Sequence, residues 1–179
     1  LVSTDGGSTF NMQPYTGLPA GQGLLSFAGA KQGGKTRFFG VAADTGNMYV
    51  GIFGSDYWNI ATGIYTIGVG DPSWARKEKG IQVGNDFPFF VAMALDDTST
   101  AYVAGSGSAG APTVFKTTTA GDTWIQTFLA APNQNIYTGW CGSGGDRGWG
   151  YAECAMGFSV AANDPNLLAF SDYGFVHLS

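Results

Sequence analysis

Histidine occurs once, cysteine twice, and lysine plus arginine only 8 times in 179 residues. Each shortage removes a class of function. A serine triad needs an imidazole base, and the single histidine, His177, stands in an apolar stretch that reads as a strand. A zinc site needs several thiolates or imidazoles together, and neither Cys141 nor Cys154 has a histidine near it in sequence. An arginine cluster able to grip an acidic sugar cannot be read from Arg37, Arg76 and Arg147, which are scattered. With a net charge of −5 and dispersed basic residues, neither nucleic acid nor an anionic membrane is an expected partner. The one charged cluster, Arg76-Lys77-Glu78-Lys79, reads as a solvated edge strand. No apolar run approaches the roughly 20 residues needed to cross a bilayer. No metal or cofactor is implied.

Glycine is abundant instead, at 29 residues, and 15% of the chain is aromatic. Short strands joined by tight turns use residues in that way, whereas a helical bundle does not. The expected class is all-β. Cys141 and Cys154 bracket a glycine-rich stretch, which reads as a disulfide or as two separate thiols. A bridge closing a loop of this size contributes about 3 kcal/mol and implies an oxidising compartment, extracellular or periplasmic.

The most informative stretch is Ser3-Thr4-Asp5-Gly6-Gly7-Ser8-Thr9-Phe10. It reads as a tight turn between antiparallel strands: Asp5 accepts backbone hydrogen bonds, Gly7 takes positive φ, and Phe10 tucks beside the returning strand. A second copy, at Thr117 to Trp124, keeps Thr117, Gly121, Thr123 and Trp124 but has Thr119 in place of the carboxylate. A poorer copy spans Thr66 to Trp74 with one extra residue, and Ser179 occupies the first position of a fourth. The starts lie roughly 50 to 60 residues apart, a period that points to a β-propeller.

Residues 3–10 resemble the Asp-box, or bacterial neuraminidase repeat, of sialidases, xyloglucanase-type glycoside hydrolases and sortilin-like receptor ectodomains. The resemblance implies four-stranded antiparallel blades, with the box as a structural turn on the face away from the ligand. The chain then divides into residues 1–34 (a strand of a preceding blade and a glycine-rich connection), 35–84 (a blade), 85–131 (a blade) and 132–179 (a partial blade carrying the Cys141–Cys154 insertion). In the first blade the strands are expected at 37–43, 48–53, 63–67 and 75–83. Propellers close with four to eight blades, so this amount implies either part of a larger ring or a ring completed by a second copy. The chain begins Leu1-Val2-Ser3, which reads as processed, excised or trimmed.

On the face opposite the boxes, aromatic rings can stack on sugars and carboxylates can accept from hydroxyls. The candidates for ligand contact are Tyr57, Trp58, Trp140, Asp146, Trp149 and Tyr173. The segment from Asn163 to Gly174 is similar to the first-blade segment of xyloglucanase-type hydrolases, and Asp172 falls where that family carries a catalytic carboxylate. An inverting hydrolase needs a second carboxylate about 6.5–9.5 Å away, for which Glu153 and Asp146 are candidates. In place of the family's following Gly-Gly and Tyr-Arg this chain has Tyr173-Gly174 and Val176-His177. The expected function is a secreted, carbohydrate-facing propeller segment, with a non-catalytic interaction or assembly propeller as the alternative.

Overall fold

A computed structural model describes residues 1–3, 5–12, 15–46, 61–106, 112–130, 158–171 and 176–179. They form three consecutive antiparallel sheets, each built from strands that are neighbours in sequence. The first comprises β1 (Gln22–Gln32), β2 (Lys35–Asp44), β3 (Ala61–Gly68) and β4 (Ala75–Arg76). The second comprises β5 (Pro88–Ala92), β6 (Ala101–Ser106), β7 (Pro112–Thr117) and β8 (Ile125–Leu129). The third has three strands, β9 (Phe158–Ala161), β10 (Asp164–Ser171) and β11 (Val176–Leu178), with β10 in the middle.

The sequence reads as strands over 89–95, 101–105, 113–117 and 125–128, and the strands of the second sheet fall on these stretches, with β5 ending at Ala92. The first sheet departs from its expected strands, and the differences have physical causes. Gln22–Gln32, expected as a glycine-rich connection, is β1, and it pairs with β2 over its whole length, with a bulge between Leu24 and Ser26. Its glycines are accommodated by neighbours that crowd them: a Cβ on Gly29 would lie 2.5 Å from the Phe38 ring. The boundary expected after residue 34 therefore falls inside the hairpin of two paired strands. The fourth strand, expected over 75–83, is only Ala75–Arg76. Beyond it, Lys77 N–H still donates to Ile64 O at 2.8 Å, then Gly80 turns the chain at φ 105° and Val83–Asp86 forms one helical turn. The second strand expected at 48–53 lies outside the described residues.

Alternation along the strands of the second sheet gives it two apolar faces. Val91, Met93, Ala101, Val103 and Phe115 share one core with Phe39, Val41 and Ile64 of the first sheet. Ala92, Ala94, Tyr102, Ala104 and Val114 share another with Val160, Leu168 and Phe170 of the third. The first strands of successive sheets are tied together near the ends of their hairpins: Lys31 N–H donates to Leu95 O, and Leu95 N–H to Ala162 O, each at 2.8 Å. Lys31, Leu95 and Ala162 thus stand at corresponding positions of three repeated units.

Candidate functional site

The turn at residues 3–10 is held by a closed set of short hydrogen bonds. Ser3 Oγ accepts from Gly7 N–H at 2.8 Å and donates to Asp5 Oδ1 at 2.7 Å. Asp5 Oδ1 also accepts from Thr9 N–H at 2.9 Å, and Oδ2 from the Thr9 hydroxyl at 2.6 Å. Gly6 and Gly7 take φ 71° and 91°. Outside the turn, Val2 and Asn11 exchange both backbone hydrogen bonds at 2.9 Å. Donors aimed at a carboxylate favour its charged form, and the Thr9 hydroxyl, the Thr9 N–H and the Ser3 hydroxyl, in that order, lower the Asp5 pKa from 3.8 to about 2.

The same pattern recurs without a carboxylate. Thr117 Oγ1 accepts from Thr119 N–H at 3.2 Å and Gly121 N–H at 3.0 Å. Thr119 Oγ1 accepts from Thr123 N–H at 3.1 Å and lies 3.3 Å from the Thr123 hydroxyl. Lys116 pairs with Ile125, the positions that Val2 and Asn11 hold. At residues 66–74 the extra residue changes the wiring: Thr66 Oγ1 donates to Phe38 O at 2.9 Å, and Asp71, placed late in the turn, accepts from Gly68 N–H at 2.7 Å.

The turns at 66–74 and 117–124 each end in a tryptophan that locks onto the preceding stretch of chain, whereas Phe10, expected to tuck beside the returning strand, is 60% exposed. Trp124 N–H donates to Lys79 O and its indole Nε1 to Lys77 O, both at 2.8 Å. The Trp124 ring meets Phe39 edge-on, at 5.7 Å and 82°. Lys77 Nζ also bonds Asp122, lowering the pKa of that carboxyl. Arg76 pairs with Glu78 at 2.8 Å. The charged cluster expected to be a solvated edge strand begins as one, with Arg76 exposed in edge strand β4, and beyond it Lys77 and Lys79 clamp the first sheet to the second. Gly80 is what lets the two segments meet, since its Cβ would stand 2.1 Å from Trp124 O. The arrangement repeats at Trp74, whose N–H donates to Thr16 O at 2.8 Å, with Gly17 pressed against Trp74 O. Sequence reading missed both clamps, because two contact glycines among 29 carry no signal of their own.

The turns at 66–74 and 117–124, and the β1–β2 and β5–β6 hairpins, lie at one end of their sheets. A groove of about 490 Å³ opens at that end between the second and third sheets, lined by Tyr102, Val114, Thr127, Phe128 and Leu178 among others. Across it Lys116 Nζ donates to Asn166 Oδ1 at 2.9 Å, and Tyr102 OH to Pro165 O at 2.7 Å. At the opposite end, β2 and β3 are paired at Ala43 and Ala61, β10 and β11 at Ser171 and Val176, and β8 finishes at Leu129. Tyr57 and Trp58 fall in the connection from β2 to β3. Trp140, Asp146, Trp149, Glu153 and the Cys141, Cys154 pair fall between β8 and β9, and Asp172 and Tyr173 between β10 and β11. All of these lie outside the described residues. His177 belongs to β11, where its backbone faces Phe170. Among the described residues no group of three or more His, Cys, Asp or Glu could hold a metal ion, and no helix is long and apolar enough to cross a membrane. The chain matches no known protein family and no curated protein.

Proposed function

We propose that the chain is a run of Asp-box propeller blades whose end opposite the boxes faces carbohydrate in an oxidising compartment, as part of a glycoside hydrolase of the xyloglucanase type. The observation that carries this reading is the division between the two ends. The turns at 66–74 and 117–124 lie at one end of the first and second sheets. Every residue singled out for ligand contact sits in a connection that leaves the strands at the other end. The aromatic and acidic residues of those connections suit a sugar chain, whose apolar faces take aromatic rings and whose hydroxyls take acceptors. In this reading Asp172 acts as the general base on water, and Asp146 or Glu153 protonates the leaving oxygen. A disulfide between Cys141 and Cys154 holds the stretch that presents Trp140, Asp146 and Trp149.

A glycan array together with a reducing-sugar assay on xyloglucan tests the reading. Binding with hydrolysis that falls by orders of magnitude in Asp172→Asn, at unchanged melting temperature, supports it. Full hydrolysis by Asp172→Asn removes the catalytic assignment. Protein capture with no glycan bound favours the assembly alternative.

A further inference from the structure

We propose that the strap joining the first sheet to the second, residues 82–87, is a contact for the vicinal hydroxyls of an uncharged sugar. This rests on the reading that the end opposite the boxes faces carbohydrate, and it adds to that end a site built from described residues. β5 begins at Pro88, which pairs with Gly105, and β6 finishes one residue later at Ser106, so the strap stands at the end away from the turns at 66–74 and 117–124. Its helical turn, Val83–Asp86, lies against β3 and β6. Val83 packs on the core shared by the first two sheets, as do Leu25 and Ala61. The connection that carries Tyr57 and Trp58 reaches β3 at Ala61, on that same core.

The strap is held in one shape at a cost. Phe87 takes φ 35° and ψ 62°, a left-handed conformation that a side chain disfavours and a following proline disfavours again. Three features hold it. The Gln82 carbonyl accepts from Asn85 N–H at 2.7 Å and from Asp86 N–H at 2.8 Å. Asp86 Oδ2 accepts from Gln82 N–H at 2.7 Å. Gly105 lets the strap pass so close that a Cβ there would lie 2.4 Å from Phe87 O. Strain of this kind persists where the surroundings over-determine it, and it collects at ligand sites. What the shape presents to solvent is a pair of amides. Gln82 and Asn85 are both exposed, and Asn85 Nδ2 donates to Gln82 Oε1 at 2.9 Å. That bond leaves Asn85 Oδ1 as an acceptor and Gln82 Nε2 as a donor, and no other described residue takes either. Two adjacent ring hydroxyls, one donating to Oδ1 and one accepting from Nε2, satisfy both without disturbing the bond between the amides. The Asp86 carboxylate in the same turn disfavours a sugar that carries its own.

Titration of the ¹⁵N-labelled chain with xyloglucan oligosaccharide, read at the side-chain amides and the indoles together, tests this. Saturable shifts of the Gln82 and Asn85 side-chain amide signals are expected. Gln82→Ala and Asn85→Ala, both at exposed positions, should each raise the Kd about threefold or more, the effect of one lost hydrogen bond, with unchanged near-ultraviolet circular dichroism. Shifts of Trp58, Trp140 or Trp149 with both amides stationary, or variants that bind as well as the parent, overturn the strap contact and leave the carbohydrate reading standing. No shift at any of these amides or indoles overturns both. Amide shifts with the three indoles stationary support the strap contact and remove the aromatic contacts of that reading.

Discussion

At the scale of single residues, the two best-formed turns differ in the group that accepts the later N–H, the carboxylate of Asp5 against the hydroxyl of Thr119. Asp5 has its folded-state pKa lowered to about 2 from an ordinary 3.8. A depressed carboxyl stabilises the fold above its unfolded pKa and loses that contribution as pH falls through its folded value. The window therefore runs from about pH 4 down to about pH 2. Amide spectra recorded through and below it should show the Thr9 N–H resonance moving as the carboxylate that accepts it is protonated, while the Thr123 N–H, bonded to a hydroxyl, stays unchanged. Asp5→Asn should lose the Thr9 signature at neutral pH. The second turn carries a different defect: Ala120 takes φ 54° where the first has Gly6. A left-handed conformation costs an ordinary residue about 1–2 kcal/mol, more than the roughly 0.5–1 kcal/mol of extra freedom a glycine loses on folding. Ala120→Gly should therefore raise stability by about 0.5 kcal/mol or more in denaturant unfolding, and a loss would contradict the geometry.

At the scale of elements, the connection after β4 and the turn before β8 act as one latch. Adding a methyl at Gly80 places it 2.1 Å from a backbone oxygen at a φ that side chains avoid. Gly80→Ala should cost about 3 kcal/mol, within the range for backbone strain plus a broken contact. Trp124→Ala should cost about 3–5 kcal/mol. Because both changes break the same contact, the double variant should cost less than the sum of the two, by about 0.5–3 kcal/mol; strict additivity would mean the latch is not a unit.

The latch also explains what was legible in the sequence. The second sheet could be read because Phe90 to Ala92, Ala101 to Gly105 and Val114 to Phe115 are apolar on both faces and are punctuated by Asp96-Asp97 and by the turn at Thr117. The first strand of the first sheet was hidden because Gly23 and Gly29 interrupt it, so it looks like a connection until the Phe38 side chain is seen covering Gly29. The fourth strand was overextended because the consecutive charged residues Arg76 to Lys79 read like a solvated edge. Their partners, Asp122 and the Trp124 indole, are distant in sequence and belong to the next sheet. The groove at Tyr102 and Leu178 had no sequence signal at all, since its walls come from strands distant in sequence.

At the scale of the whole molecule, the sheets carry structural turns at one end, and the proposed ligand contacts leave the strands at the other. The five tryptophans report on both ends. Trp74 and Trp124 belong to turns and clamps, with Trp124 buried, while Trp58, Trp140 and Trp149 belong to the connections at the opposite end. The most direct test is the indole N–H spectrum of the ¹⁵N-labelled chain titrated with xyloglucan oligosaccharide. The account predicts saturable shifts of Trp58, Trp140 and Trp149 with Trp74 and Trp124 stationary; no shift at any indole, or shifts confined to Trp74 and Trp124, would contradict it.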